Sequence, residues 1–225
     1  MPRSTRVDVE NIIYHVINRA NARLEIFSKP NDYQAFLNVL TEAKEKFPVD
    51  VIVFCIMPNH WHLILKPLEN GALSKFMGWL TMTHTQRWHT SHHTVGSGHL
   101  YQGRYKSFLV NSDEYFIQLA RYVERNPLRA KLVKKAQFWK WGSLWIRQQG
   151  TIEQKQLLSK WPIAPSKNYL KLVNTIQPKT EVDYIRISII RNRPLGTDKW
   201  VQNISKELGL ESSLRNPGRP RKNGS

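Results

Sequence analysis

The apolar positions of this chain fall into short runs whose period changes repeatedly. Ile12, Ile13, Tyr14, Val16 and Ile17 crowd residues 11–19, a run that predicts a strand, and the polar cluster 18–23 ends it. Between residues 31 and 46 the period becomes helical, with Phe36, Leu37, Leu40 and Ala43 on one face, Asn31 or Asp32 as the cap and Pro48 as the stop. Val49–Met57 is nearly all apolar and rich in Val and Ile, as in a strand buried on both faces. Pro58-Asn59 is a turn signal, and residues 60–66 form the next strand, so the two strands should pair as an antiparallel hairpin. An amphipathic helix follows at 72–88, then a glycine-containing loop at 92–103 and a fourth strand at 104–110. A third helix runs from Tyr115 to Arg125, with Ser112 as its cap and Pro127 as its limit.

Strand, helix, strand, strand, helix, strand, helix is the order of an α+β fold. The first six elements match a ferredoxin-like or RRM-like split βαβ sandwich, an antiparallel sheet with helices on one face. The seventh is an added helix. Residues 1–145 form the expected principal domain and 146–179 a linker and packing segment. A small helical unit is expected at 180–211, and a basic, disordered tail at 212–225. The aromatic cluster Phe138, Trp139, Trp141 and Trp145 reads as a cap over the core.

Charge changes the picture more than composition does. Lys and Arg total 34 against 17 Asp and Glu, a net charge of +17, which calls for an anionic partner, nucleic acid foremost. No apolar stretch approaches the ~20 residues of a membrane span, and the N-terminus lacks a secretory signal, so the expected location is cytoplasmic, in association with the bacterial nucleoid. The single cysteine, Cys55, between Phe54 and Ile56, is a core thiol and excludes an internal disulfide.

Candidate chemistry concentrates in two places. His60 and His62 lie two apart on a strand, so their imidazoles project from one face and Trp61 from the other. That arrangement suits two ligands of one metal ion with converging ring nitrogens, neither sealed in the core; a structural or merely exposed pair has the same spacing. Tyr122 and Asn126 lie four apart on the third helix, hence on one face. An Asn amide oxygen is a hard ligand suited to magnesium or manganese, and an activated tyrosine hydroxyl is a nucleophile. Cations and aromatics are interleaved around this helix: Tyr101, Arg104, Tyr105, Lys106, Arg121, Arg125 and Arg129, with Arg19 and Arg23 after the first strand and Arg219 and Arg221 in the tail. Such a set holds phosphates and stacks unpaired bases. His84, His89, His92, His93 and His99 fit no defined metal spacing and read as loop residues near phosphate.

Met57-Pro58-Asn59-His60-Trp61-His62-Leu63 resembles the His-hydrophobic-His motif of the HUH nucleases. With the segments 98–107 (Gly-His-Leu-Tyr-Gln-Gly-Arg-Tyr-Lys-Ser) and 122–133 (Tyr-Val-Glu-Arg-Asn-Pro-Leu-Arg-Ala-Lys-Leu-Val), residues 5–145 resemble the REP-associated tyrosine transposases, relatives of the TnpA-like single-tyrosine transposases of small insertion sequences. The resemblance implies His60, His62 and Asn126 as ligands of a divalent metal, Mg or Mn, and Tyr122 as the nucleophile. Tyr122 would attack a phosphodiester of single-stranded or hairpin DNA beside a short recognition sequence, forming a 5′-phosphotyrosine. Where that family reads Arg-Gly-Asn, this chain has Arg19-Ala20-Asn21. Two rival readings are a non-catalytic RRM-like binding module and a repressor that reads DNA with its C-terminal unit. Neither uses all four of His60, His62, Tyr122 and Asn126. Monomer and homodimer stay undecided.

Overall fold

The computed structural model describes residues 7–111 and 114–215. Strands β1 (Ile13–Arg19), β2 (Val49–Met57), β3 (His60–Pro67) and β4 (Lys106–Val110) form one antiparallel sheet in the order β2-β3-β1-β4. Helices α1 (Pro30–Lys46) and α2 (Ala72–Ser91) cover one face. The other helices are α3 (Glu114–Glu124), α4 (Asn126–Arg129), α5 (Ser143–Gln149), α6 (Ile152–Gln156), α7 (Tyr169–Asn174), α8 (Lys179–Arg191) and α9 (Asp198–Glu207). This is the expected α+β sandwich with an added helix. Among the described residues no helix is long and apolar enough to cross a membrane.

Alternation along the strands sorts the residues onto two faces. Trp61, Leu63 and Leu65 of β3 and Tyr14 and Val16 of β1 pack with Phe36 and Leu40 of α1 and Phe76 and Leu80 of α2. The residues between them face the other way. Ile64, Ile13, Phe108 and Val110 pack there against Phe116, Leu119 and Val123 of α3. Cys55 is buried on that side, as expected, and burial raises its thiol pKa well above the usual value. Helices α3 and α8 pack on this second face over Ile13, Ile64, Phe108 and Val110, part of the surface on which an RRM-like module stacks bases.

Several element ends differ from the reading of the sequence. Helix α1 starts at Pro30, and Asp32 acts from inside its first turn, its carboxylate accepting from the amides of Ser28 and Lys29. Helix α2 runs on to Ser91, and β4 begins at Lys106. The third helix ends at Glu124, just short of Pro127 as expected, and α4 opens after a single intervening residue. The Arg129 amide reaches the Arg125 carbonyl at 2.9 Å and the Ala130 amide the Asn126 carbonyl at 2.9 Å, which closes the one turn of α4. A proline in a first turn has no amide hydrogen to lose from the ladder. The cap expected at Ser112 lies outside the described residues, as does the basic tail from 216 onward.

Residues beyond 145 pack back onto the same clusters. Leu157 and Ile204 join the α1–α2 side, and Ile185 and Leu195 the α3 side. Leu195 adds a parallel bridge to the β4 edge, its amide donating to the Leu109 carbonyl at 2.8 Å and its carbonyl accepting from Asn111 at 2.9 Å. The aromatic cap forms from the three tryptophans, with Phe138 exposed: Trp141 stacks on Tyr33 at 4.7 Å, and the Trp139 indole donates to the Ile56 carbonyl.

The junction of α3, α5 and α7 is polar and buried. Glu124, 3% exposed, accepts from Ser143 Oγ at 2.7 Å and from the Tyr169 hydroxyl at 2.8 Å. Burial raises the Glu124 pKa above the ordinary carboxylate value, against the lowering effects of Ser143, Tyr169 and Arg147. The folded chain therefore binds this proton more tightly than the unfolded chain. Its contribution to stability is full below the ordinary carboxylate pKa and is lost as pH rises through the raised one. Urea unfolding from pH 4 to pH 8 is expected to show this decline in the wild type and a flatter profile in Glu124→Gln. Tyr169→Phe, which removes one donor, is expected to cost about 1–3 kcal/mol. A Glu124→Gln profile as steep as the wild type would contradict this.

Candidate active site

The tight turn at Pro58-Asn59 positions the two histidines. It is anchored by the loop after β1: the Ala20 amide donates to the Asn59 carbonyl and the Phe27 amide to the Pro58 carbonyl. Both imidazoles stand on the α3 side of β3, as their spacing predicts, and Trp61 is fully buried on the other side. Their ring centroids lie 5.1 Å apart at a steep angle. One expectation needs amending. His60 is half-buried, but His62 is only 2% exposed and forms the floor of the site.

Each ring has a partner on one nitrogen. His60 Nδ1 lies 2.7 Å from Asn59 Oδ1, which fixes the proton on Nδ1 and leaves Nε2 with a lone pair. His62 Nδ1 lies 2.9 Å from Nε2 of His15, a fully buried residue of β1. For His62 to present an Nε2 lone pair, its Nδ1–H must donate to His15. The His15 proton then sits on Nδ1, which is buried without a partner. Burial lowers the His60 pKa to about 4, helped by Arg19 and Arg129. His62 is pushed well below its ordinary value by burial first, then by His60, His15 and the same two arginines. Both imidazoles are thereby kept neutral, the form that ligates metal.

Tyr122 of α3 closes the site. Its ring is 6.1 Å from that of His62, edge-on, and the Arg129 guanidinium lies 4.3 Å from the ring centroid on its face. The same guanidinium donates to Asn126 Oδ1 at 2.7 Å. Helical winding thus gathers Tyr122, Asn126 and Arg129 on one side, and the sheet brings His60 and His62 to meet them. Asn126 Nδ2 is buried without a partner. Among the described residues no group of three His, Cys, Asp or Glu could hold a metal ion. A divalent ion here would have two imidazole nitrogens and the second lone pair of Asn126 Oδ1. Water or phosphate would fill the remaining positions, as in an open catalytic site. The donor set fits such an ion.

The cationic set divides. Arg19, paired across the sheet with His60, is exposed, as are Arg23, Arg104 and Lys106. Arg129 is half-buried beside Tyr122. Arg121 and Arg125 are turned to structural work. Arg121, 6% exposed, donates to the carbonyls of Thr175 and Ile176, and Arg125 donates to that of Val173. Two ring positions also need correction. Tyr101 and Tyr105 are core residues, each 7% exposed, and cannot stack bases. The Tyr101 hydroxyl accepts from the Trp61 indole at 3.0 Å and donates to His84 Nδ1 at 2.7 Å. His84 is therefore a core residue of α2, its pKa lowered by burial to about 3. His92 stacks on Trp88 and pairs with Asp32 at 3.3 Å. Arg219 and Arg221 lie outside the described residues. Ala20 has an ordinary backbone, φ −61° and ψ 147°, so no glycine is required at that point. His15 and Asn59 orient the two histidines; His15 is absent from the sequence reading, and Asn59 enters it only as a turn and motif residue. The parity of His15 with Ile13 and Ile17 was the available signal.

The class of protein to which this fold belongs is the DNA transposases. The sequence profile of the family described as "Transposase IS200 like" matches residues 8–126, and the chain belongs to that family. No curated protein sequence matches it. Among solved structures, the chain is similar to a REP-associated tyrosine transposase bound to a REP hairpin. The identity is 16% and the TM-score 0.55, with 74% of this chain and 93% of the other covered. It is also similar to a Deinococcus radiodurans R1 protein proposed to be a transposase, at 18% identity and TM-score 0.39, covering 55% of this chain and 96% of that one.

Proposed function

We propose that the protein is a metal-dependent single-stranded DNA endonuclease and strand transferase that acts on REP-type hairpins through a 5′-phosphotyrosine. The observation that carries this reading is the Tyr122 ring edge-on to His62 and under Arg129, with Asn126 joined to the same guanidinium. The hairpin comes from the structural neighbour, which holds one.

The Tyr122 oxygen attacks the scissile phosphorus, its proton passing to solvent. The new bond joins that oxygen to phosphorus, and the bond to the 3′-oxygen breaks. That oxygen leaves and takes up a proton as a 3′-hydroxyl. Attack by a 3′-hydroxyl on the phosphotyrosine reverses the step and rejoins strands, so bond energy is conserved and no ATP is consumed. Arg19 and Arg129 flank the histidines and hold the phosphate oxygens in place. His60, His62 and Asn126 would hold a Mg or Mn ion, which when bound polarises the phosphate and stabilises developing charge.

The test is incubation of labelled REP-type hairpin DNA with single-stranded flanks, protein and magnesium or manganese, followed by denaturing electrophoresis. A protein-linked labelled strand is expected, and EDTA should abolish it. Tight hairpin binding without any linked strand in either metal would overturn the reading.

A further inference from the structure

On the α3 side of the sheet the strand pairing leads from the histidines across β1 to β4. In the paired register His62 stands opposite Ile17, which stands opposite Lys106; His60 stands opposite Arg19. At Arg19 lies a cavity of about 470 Å³ whose lining includes Ile17, Arg19, Arg104, Lys106 and, from α8, Ile189 and Ile190. That size is typical of a small-ligand site. Its rim is braced within the chain. Asn18 Nδ2 donates to the Gly103 carbonyl, the Gln102 amide donates to the Arg19 carbonyl, and Asn18 Oδ1 accepts from the Arg19 amide.

The lining states what the cavity takes. Three exposed cations and, among the described residues, no carboxylate line it, which asks for an anion. Ile190, 70% exposed, stands at the same wall, which asks for an apolar or flat ring surface. A nucleotide has both, and only an unstacked one enters a concavity. We propose that this cavity is the subsite for an unstacked nucleotide of the single-stranded flank beside the cleaved phosphodiester. Helix α8 gives the base its apolar wall, and Arg19, Arg104 and Lys106 hold the adjoining phosphates. The proposal rests on the DNA-cleaving reading above and gives the C-terminal helix a part in it.

The test compares two fluorescent probes: a hairpin with single-stranded thymidine flanks, and the same hairpin with abasic flanks. Binding is measured by anisotropy on the full chain carrying Tyr122→Phe, without metal, so the result does not depend on whether the chain cleaves. Ile190 is exposed, so its replacement spares the core. Ile190→Ser is expected to weaken binding of the thymidine probe roughly three- to tenfold and to leave the abasic probe within about twofold. Ile190→Trp is expected to tighten the thymidine probe alone, because bases stack on aromatic rings. Lys106→Ala should weaken both probes alike and reduce the salt slope by about one. If the Ile190 variants shift both probes equally, or shift neither, the subsite is not there.

Discussion

Tyr122→Phe is expected to lower covalent capture of DNA by at least about ten-thousand-fold, because in the proposed mechanism its hydroxyl oxygen forms the phosphotyrosine. The substitution is conservative in every other respect. The ring is 5% exposed, packs edge-on to His62 and lies under the Arg129 guanidinium; none of these contacts involves the hydroxyl. Among the described residues that hydroxyl has no hydrogen-bond partner, so its removal strands no donor or acceptor. Hairpin affinity should stay within about twofold of wild type and Mn²⁺ affinity within the same range. Tyr115 is the competitor on the same helix. Its ring neighbours Tyr184 of α8 at 6.1 Å, away from the histidines, so Tyr115→Phe should leave capture intact. Mass spectrometry of the trapped wild-type complex should place the nucleotide on the peptide containing Tyr122. An adduct on Tyr115, or one that persists in Tyr122→Phe, would move the active site elsewhere.

What was legible in the sequence is what local period encodes. His60 and His62 share a face because a strand repeats every two residues, and Tyr122 and Asn126 share one because they are four apart on a helix. That the two pairs meet could be read only through family resemblance. His15 shows why: it reaches His62 through the β1–β3 pairing, 47 residues away in sequence. The basic and aromatic residues misled for a related reason. Composition counts charges and rings without saying which way they point. Arg121 and Arg125 turn inward to carbonyls at 173–176, a segment read as linker, and Tyr101 bridges Trp61 and His84 inside the core.

His62→Ala is expected to remove metal binding at the site and lower metal-supported cleavage by about a thousandfold or more, while hairpin affinity, set by phosphate contacts elsewhere, changes little. The side chain is the floor of the site, and alanine leaves His60 alone with the Asn126 amide, too few donors to hold a hydrated ion. His15 supports it from behind. His15→Leu takes away the acceptor 2.9 Å from His62 Nδ1, freeing the ring to rotate or to carry its proton on Nε2, where it blocks ligation. The expected cost is about ten- to a hundredfold in Mn²⁺ affinity, measured by calorimetry or by the free-ion EPR signal. His15→Gln, whose carbonyl can accept the same hydrogen bond, should recover part of it. Solution pH gives an independent check. Ordinary imidazoles protonate near pH 6.5 and would lose metal as pH falls below that value. His60 is lowered to about 4 and His62 is held well below its ordinary value by burial, so both stay neutral well below pH 6.5. Mn²⁺ affinity should therefore be nearly level from pH 8 to pH 5.5 and fall only as pH 4 is approached. A titration that falls away near pH 6.5, or a His62→Ala chain that binds Mn²⁺ as tightly as wild type, would mean that the ion sits elsewhere.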